Sequence, residues 1–216
     1  MRMVSSFGTW CLIAFVMVIS LHAADPAPTD QPSAALEDVI DPLIKKHDGQ
    51  VGVMVRHLTT GASFAHRPDE VMPTASLIKF PVMLATYKQV ADGKLDLQKM
   101  VTYREEDKVP GSGILGPQFT PGMSFPLRDA VRLMMAYSDN VATNLVLKEL
   151  ELPTTNALME AWDCPNTRVH AFVFRGSTSI APERSQKYGL GSTTAREMVR
   201  LLERLRRGEC GSAAQT

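Results

Sequence analysis

The chain has 216 residues, enough for one large domain or two small ones with a substantial buried core. Its 23 basic and 23 acidic side chains cancel, and no block of like charge occurs. A nucleic-acid or anionic-membrane partner therefore has no electrostatic support. The apolar content of 44% is ordinary for a folded globular protein.

The N-terminus has the features of a secretory signal peptide. Arg2 gives a positive start, Trp10–Leu21 is apolar apart from Ser20, and small residues follow at Ala23 and Ala24. The apolar stretch is short for a membrane span, which needs about 20 residues. We predict a signal peptide over residues 1–24 and a periplasmic or secreted protein without a stable membrane partner. The alternative is an uncleaved segment that anchors the chain.

The rest of the chain is predicted to form one domain. Residues 25–33 are rich in proline and predict a flexible mature N-terminus, and residues 34–216 carry the domain. Export would permit disulfides, but the sequence leaves open whether Cys164 and Cys210 pair. No CxxC or HExxH motif and no Cys/His cluster occurs, so neither a metal site nor a cofactor is predicted.

The first elements alternate between helix and strand. Ala34–His47 has apolar residues at helical spacing, and Ser33 is a suitable N-cap. Val51–Leu58 alternates in the manner of a strand, and a tight turn leads to a return strand at 63–68. A helix that is apolar nearly all round follows from Ser76. Because a proline beyond the first turn disrupts a helix, Pro81 predicts a bend or a start after the serine.

The second half is predicted to be mostly helical. Val109–Gly122, rich in glycine and proline, predicts a long loop. Periodic apolar faces then predict four helices, at Pro126–Tyr137, Val141–Leu150, Pro153–Trp162 and Ser192–Gly208. In the last of these, Met198, Leu201, Leu202 and Leu205 are expected on one side. The fold class predicted is α+β, within the broad α/β class.

Two short polar motifs could carry chemistry. Ser76 and Lys79 stand three residues apart, and Ser138, Asp139 and Asn140 separate two predicted helices. Each motif alone is explained by capping, because Ser, Asp and Asn are preferred N-cap residues.

Together, the motifs resemble those of the class A serine β-lactamases and their penicillin-binding relatives. "TASLIKFPVM" is similar to the nucleophile helix of that family, and "LMMAYSDNVATNLVL", with Asn144, is similar to its second motif. "STTAREMVRLL" resembles the helix after its omega loop. The resemblance implies a mostly helical body beside an antiparallel sheet, and a monomer that acts on a small-molecule β-lactam or a peptidoglycan peptide.

The residue types suit acyl transfer. A serine hydroxyl needs a neighbouring base, and positions i and i+3 share a helix face, so Lys79 can reach Ser76. To act as that base near neutral pH, the lysine pKa must fall by roughly 2–3 units, and burial against Leu77, Ile78 and Phe80 would lower it. Alternatively Lys79 stays charged and a carboxylate-bound water is the base. The N-terminal position of Ser76 would also offer its backbone N–H to the oxyanion.

The resemblance implies roles for the second motif. Ser138 would pass a proton to the leaving nitrogen, and Asn140 would hold Lys79 and a substrate amide. Asp139 is expected to fix the loop. The predicted function is β-lactam hydrolysis through an acyl-enzyme on Ser76.

Two departures from the family pattern matter. The family has an omega-loop glutamate that activates the deacylating water. Glu183 is the only carboxylate in the corresponding segment, but the residues after it do not match the family pattern. Alternatively, Glu183 is an exposed loop charge paired to Arg184. The strand with Lys-Thr-Gly or Lys-Ser-Gly is missing before Thr216, so we expect the C-terminal strands to be absent and the chain to be a fragment, inactive and poorly stable as it stands.

These departures leave two further functions open. Without a deacylating residue, the protein would act as a penicillin-binding or DD-peptidase-like enzyme with slow deacylation. If the 216 residues are the whole product, a non-catalytic exported module that binds cell-wall peptides is favoured.

Overall fold

The structure, a computed structural model, describes residues 31–211. Its helices are α1 Ala34–Lys46, α2 Lys79–Ala91, α3 Leu115–Gln118, α4 Leu127–Ala136, α5 Asn140–Leu150, α6 Leu152–Ala161, α7 Pro182–Tyr188 and α8 Ala195–Arg206. Its strands are β1 Gln31–Pro32, β2 Val53–Arg56, β3 Ala62–His66, β4 Met72–Pro73, β5 Met100–Thr102, β6 Ser124–Pro126, β7 Arg168–Val169 and β8 Gly191–Thr193. Short 3₁₀ helices span Ala75–Ile78, Glu105–Asp107 and Gly176–Thr178. The predicted α+β class is confirmed.

The strands form three small sheets. In the first, β3 lies between β1, which runs parallel to it, and β2, which pairs antiparallel with Val53 opposite His66. The second sheet has the antiparallel order β4-β8-β7, and β5 pairs with β6 in the third. The predicted opening hairpin is therefore present, but its β2 is shorter than the predicted strand Val51–Leu58. The first sheet also has one strand more than the two expected.

The extra strand comes from the segment predicted to be flexible. Gln31 and Pro32 pair with β3, and the Ser33 side chain accepts the Leu36 N–H as the N-cap of α1. Residues 31–33, the last three of that segment, thus make defined contacts with β3 and α1. The predicted signal peptide, residues 1–24, lies outside the described residues. No helix within residues 31–211 is long and apolar enough to cross a membrane.

The main core lies between α2, α4 and α5. Fully buried side chains come from each helix, including Val82 of α2, Met134 of α4 and Val146 of α5. The nearly all-round burial predicted for the helix after Ser76 is explained by these contacts, because α2 contacts α4, α5 and α6. Removal of this apolar surface from water is the main stabilising term of the helical body.

A second, smaller core joins α2 and α6 to α8. It contains Cys164 and Cys210, both buried and not bonded to each other, and burial raises the pKa of the Cys164 thiol to about 11. Met198 and Leu201 are buried here, but Leu202 is 53% exposed. The prediction that Leu202 shares the buried side is wrong, because it lies at the edge of the apolar stripe of α8, where the described residues provide no covering element.

The start of α2 resolves the position of Pro81. Residues Ala75–Ile78 form a 3₁₀ turn and the α-helix begins only at Lys79, so Pro81 is the third α-helical residue. The N–H groups of a first turn have no intrahelical acceptor, and a proline there sacrifices no hydrogen bond. Of the two alternatives, a bend or a start after the serine, the later start is confirmed.

The predicted loop at Val109–Gly122 contains the short helix α3, so the prediction of a loop over the whole range is wrong in part. The Asp139 carboxylate accepts the backbone N–H groups of Ile114 and Leu115 at 2.8 and 2.7 Å. A carboxylate at this position satisfies amides that would otherwise have no acceptor. The helix is therefore capped by a residue distant in sequence.

Candidate active site

The 3₁₀ turn and the start of α2 place Ser76 and Lys79 in contrasting environments. Ser76 is exposed on the turn, whereas Lys79 is buried with a relative exposure of 2%. Ala75 has φ +43°, a left-handed conformation that non-glycine residues seldom adopt. The backbone thus turns sharply just before the serine, which presents its hydroxyl to solvent while the lysine three residues on points inward.

The Lys79 amine is the centre of the site. Its Nζ lies 3.2 Å from Ser76 Oγ, 2.9 Å from Ser138 Oγ and 2.9 Å from Asn140 Oδ1, and it also donates to the Ser138 carbonyl. Four of the five predicted site residues are therefore brought together around one nitrogen. The contacts from α2 to the Ser138–Asn140 segment span some sixty positions of sequence and are made possible by the packing of α2 against α5.

Burial lowers the pKa of Lys79 to about 8, while the negative charge of Asp139 opposes the shift. The apolar neighbours expected from the sequence contribute unequally, because Ile78 is buried but Leu77 is 49% exposed. Desolvation of an ammonium group disfavours its charged form, so a substantial fraction of the amine is neutral near pH 8.

The oxygen types around Lys79 orient the neutral amine. Ser138 O is a carbonyl oxygen, and Asn140 Oδ1 faces the lysine because the Asn140 Nδ2 donates to Pro110 O at 2.9 Å. Both oxygens accept only, so they take two N–H bonds. A neutral amine has two N–H bonds and one lone pair, and the lone pair is left to face the hydroxyls of Ser76 and Ser138. The geometry suits proton transfer from a serine hydroxyl to the lysine.

Asp139 holds the loop on which Ser138 and Asn140 stand. Its side chain accepts the Ala142 N–H as the N-cap of α5, in addition to the two amides at the start of α3. Asp139 is fully buried, and Ser138 beside it has φ +52°. A non-glycine residue at positive φ persists only where its surroundings fix it. Asp139 has the loop-fixing contacts expected from the sequence.

Sequence reasoning predicted a loop over Pro110–Gly113 but missed its contacts with the site. Ser112 Oγ donates to Ser138 O at 2.7 Å, and Ser112 O accepts the Asn140 N–H at 3.0 Å. The only sequence signal was the Gly-Ser-Gly triplet, in which both glycines have positive φ, +91° at Gly111 and +127° at Gly113. Glycine is suited to such conformations, and the triplet thus marks a sharply turned backbone.

Gly113 is expected to tolerate no side chain. A Cβ there would lie 2.4 Å from Asp139 Cγ and Oδ2, whereas a Cβ at Gly122, which also has positive φ at +102°, would meet nothing within 4 Å. Gly113→Ala should therefore lower the free energy of unfolding by about 2–4 kcal/mol through loss of the Asp139 hydrogen bonds, and Gly122→Ala by about 1 kcal/mol from backbone strain alone. Urea unfolding followed by circular dichroism measures both. Equal losses in the two variants would contradict the steric argument.

A cavity of about 530 Å³ opens beside the nucleophile. Ser76, Ser112 and Asn140 line it, as does the segment Ala171–Gly176, whose first four residues form an apolar wall. Asn144 fixes this wall at Val173, since its Oδ1 accepts the Val173 N–H at 2.8 Å and its Nδ2 donates to Val173 O at 3.1 Å. The cavity is therefore bounded by polar groups around Ser76, by Arg175, and by an apolar wall held in a defined position.

Glu183 is not brought to this cavity. It is exposed in the first turn of α7 and is not among the residues that line the cavity. Nor does the alternative pairing with Arg184 occur: the Arg184 guanidinium instead donates to Ser192 Oγ at 2.7 Å and Asn166 O at 3.3 Å. Helix α7 directs the two neighbouring side chains differently, and the carboxylate points to solvent.

Metal ligands are not gathered anywhere in the described part of the chain. Within residues 31–211, no group of three or more His, Cys, Asp or Glu side chains is arranged to hold a metal ion.

Known proteins share this architecture. The structure of PBP-A superposes with a TM-score of 0.75 at 26% identity, covering 88% of this chain and 68% of that one. The L158E mutant of PBP-A, an acyl-enzyme complex with penicillin G, gives a TM-score of 0.74 at 28% identity, covering 87% of this chain and 67% of that one. The last common ancestor of Gram-negative class A β-lactamases superposes with a TM-score of 0.70 at 28% identity, with 84% and 67% covered.

Sequence comparison points the same way. A β-lactamase of Streptomyces cellulosae is 32% identical over 138 residues, which are 62% of this chain and 43% of that protein, and the β-lactamase SME-1 of Serratia marcescens is 30% identical over 134 residues, 62% and 44%. The chain thus spans less than half the length of these curated relatives. Residues 35–216 match the profile of the family described as "Beta-lactamase enzyme family". With the fold, the two motifs and this match, the chain belongs to the β-lactamase enzyme family.

Proposed function

We propose that the protein is a serine acyl-transfer enzyme that opens β-lactam rings by forming an acyl-enzyme on Ser76. The observation that carries the proposal is the 3.2 Å contact between Lys79 Nζ and Ser76 Oγ, at a buried amine whose pKa is lowered to about 8. A base of this pKa, within hydrogen-bond reach of the hydroxyl, meets the two requirements for activating a serine near neutral pH.

The proposed acylation proceeds with a balanced transfer of protons. Ser76 Oγ bonds to the carbonyl carbon of the lactam as its proton passes to the neutral Lys79 amine. The carbon–nitrogen bond then breaks, and the Ser138 hydroxyl gives its proton to the departing nitrogen. Lys79 can restore the Ser138 proton, because its Nζ lies 2.9 Å from Ser138 Oγ. Water later hydrolyses the ester and regenerates Ser76.

The cavity and the relatives support β-lactams as the substrate class. A volume of about 530 Å³ lies within the range of small-molecule sites. The penicillin G acyl-enzyme of a PBP-A mutant, 28% identical to this chain, makes a penicillin the natural first probe. A peptide with a similar acyl group, as in peptidoglycan, is the alternative substrate.

A second candidate function, a penicillin-binding enzyme with slow deacylation, is favoured by the apolar wall of the cavity. The cavity-lining residues of the described chain include no Asp or Glu, and this wall carries the apolar side chains of Ala171, Phe172, Val173 and Phe174. Glu183 is exposed outside the cavity. A carboxylate that could activate the deacylating water is therefore absent from the cavity lining, and the acyl-enzyme should be long-lived.

Covalent labelling tests the proposal. The full-length protein is incubated with a fluorescent penicillin and analysed by gel fluorescence and intact-mass spectrometry. We expect one adduct per chain, located on the peptide that contains Ser76, and no adduct on the Ser76→Ala variant. An adduct that persists after Ser76→Ala would sink the assignment of the nucleophile. A wild-type chain that binds the penicillin without forming an adduct would support the non-catalytic binding module instead.

A further inference from the structure

Ser112 contacts the loop Ser138–Asn140 but has no assigned role in the chemistry described above. Its hydroxyl is exposed at the cavity, 2.7 Å from Ser138 O and 3.5 Å from Asn140 Oδ1. A serine hydroxyl has one hydrogen, and the shorter contact takes it. Ser112 therefore donates to the same carbonyl oxygen that accepts from Lys79.

The Ser138 carbonyl needs such support. Ser138 has φ +52°, and its carbonyl is one of the two acceptor-only oxygens around the Lys79 amine. The other acceptor, Asn140 Oδ1, is oriented by the carbonyl of Pro110, two residues before Ser112. One loop therefore positions both oxygens that decide where the lone pair of Lys79 points.

We propose that Ser112 is a positioning residue for the acylation step, which rests on the function proposed above. Its hydroxyl fixes the Ser138 carbonyl in the position where that oxygen accepts one Lys79 N–H. The lone pair of the neutral amine then faces Ser76 Oγ and Ser138 Oγ. The bond also occupies one lone pair of the carbonyl and weakens its attraction for an ammonium group.

Loss of this hydroxyl has two distinguishable consequences. In Ser112→Ala, the Ser138 carbonyl is free to offer both lone pairs to Lys79, which favours the charged form and raises the pKa of Lys79 above about 8; Asp139, the neighbouring charge, is unchanged. The Ser138 segment also loses its fixed orientation, and acylation at neutral pH should slow on the order of 10-fold. Ser112→Thr keeps the donor and should restore both properties.

The experiment measures the lysine separately from the reaction. The Cε resonances of lysine-labelled chains are titrated by NMR, with Lys79 identified by its absence in Lys79→Met, and penicillin labelling rates are recorded across pH. We expect a higher Lys79 midpoint and slower labelling in Ser112→Ala, with the labelling profile displaced to higher pH. Ser124→Ala, at an exposed serine of β6 bonded to Thr102, is the matched control and should change neither property.

The Lys79 titration and the labelling rates together test the positioning role of Ser112. An unchanged Lys79 midpoint in Ser112→Ala, or a Ser112→Thr variant that titrates and reacts like Ser112→Ala, would overturn the positioning role. If penicillin labels no wild-type chain, the proposed function fails, yet the Lys79 titration still tests the contact between Ser112 and Ser138.

Discussion

Replacement of Lys79 by methionine is expected to slow acylation of Ser76 by about 10²–10⁴-fold, the usual contribution of a positioned general base. Methionine has a similar length and fills the same buried volume, but it can neither accept the Ser76 proton nor restore that of Ser138. The rate of covalent labelling by a penicillin measures the effect. Lys79→Arg is the matched charge control, since a guanidinium stays protonated and should be equally slow.

The same substitution is expected to change how stability depends on pH. The folded-state pKa of Lys79 is about 8 and the ordinary value is 10.5, so between these values the unfolded chain binds more protons than the folded one. The free energy of unfolding then rises with pH across that window. Below about pH 8 and above pH 10.5, Lys79 contributes no pH dependence, because it has the same protonation state in both the folded and the unfolded chain. Between about pH 7 and 9.5, the free energy of unfolding of the wild type should increase by about 2 kcal/mol relative to that of Lys79→Met.

Urea unfolding at several pH values compares the two chains. A free-energy difference that stays constant across this range would show that Lys79 titrates normally in the folded state. Slow labelling combined with a constant difference would mean that the lysine acts as a fixed cation, and would favour a carboxylate-bound water as the base. The two measurements thus separate the alternatives that the sequence left open.

Local patterns were enough to predict the helices that carry the site. The periodic apolar residues of α4 and α5 and the proline in the first turn of α2 are properties of short segments, so the positions of Ser76 and Ser138 at helix starts could be read directly. Each motif also has a capping explanation that remains true, because Asp139 does cap α5. The sequence alone could not give the distance in space between the side chains of the two motifs.

The features that were missed depend on contacts between distant segments. Helix α3 exists because Asp139, about 25 positions away, accepts its first amides. The contact of Ser112 with Ser138 joins residues 26 apart, and no periodicity marks it. Glu183 had the right residue type in the right region, but the direction of its side chain is set by the turn of α7 and not by its position in the sequence.

Introduction of a carboxylate at Val173 is expected to convert a slowly deacylating enzyme into one that turns over. Val173 is 5% exposed, lines the cavity that contains Ser76, and has both of its backbone hydrogen-bonding groups held by Asn144. A side chain at this position is therefore placed reproducibly and away from bulk water. In Val173→Glu the apolar surroundings should raise the glutamate pKa towards neutrality, which suits a general base for the deacylating water.

The deacylation rate should increase on the order of 100-fold in Val173→Glu. It is followed by decay of the penicillin adduct after removal of excess reagent, in parallel with hydrolysis of a chromogenic β-lactam. Val173→Gln is the matched control: glutamine has nearly the same shape and polarity but cannot accept the proton, so its adduct should persist as in the wild type. Burial of a carboxyl group there should also destabilise the fold by about 1–3 kcal/mol, measurable by urea unfolding.

The comparison of the two variants discriminates between chemical and steric effects. Equal acceleration in Val173→Glu and Val173→Gln would mean that deacylation in the wild type is limited by exclusion of water at the apolar wall. The missing base would then not be the cause of slow deacylation. A wild-type adduct that already decays within seconds would contradict the slow-deacylation function and imply that the base comes from outside the described cavity lining. These outcomes test whether the lifetime of the acyl-enzyme depends on the apolar wall at Val173 rather than on the exposed Glu183.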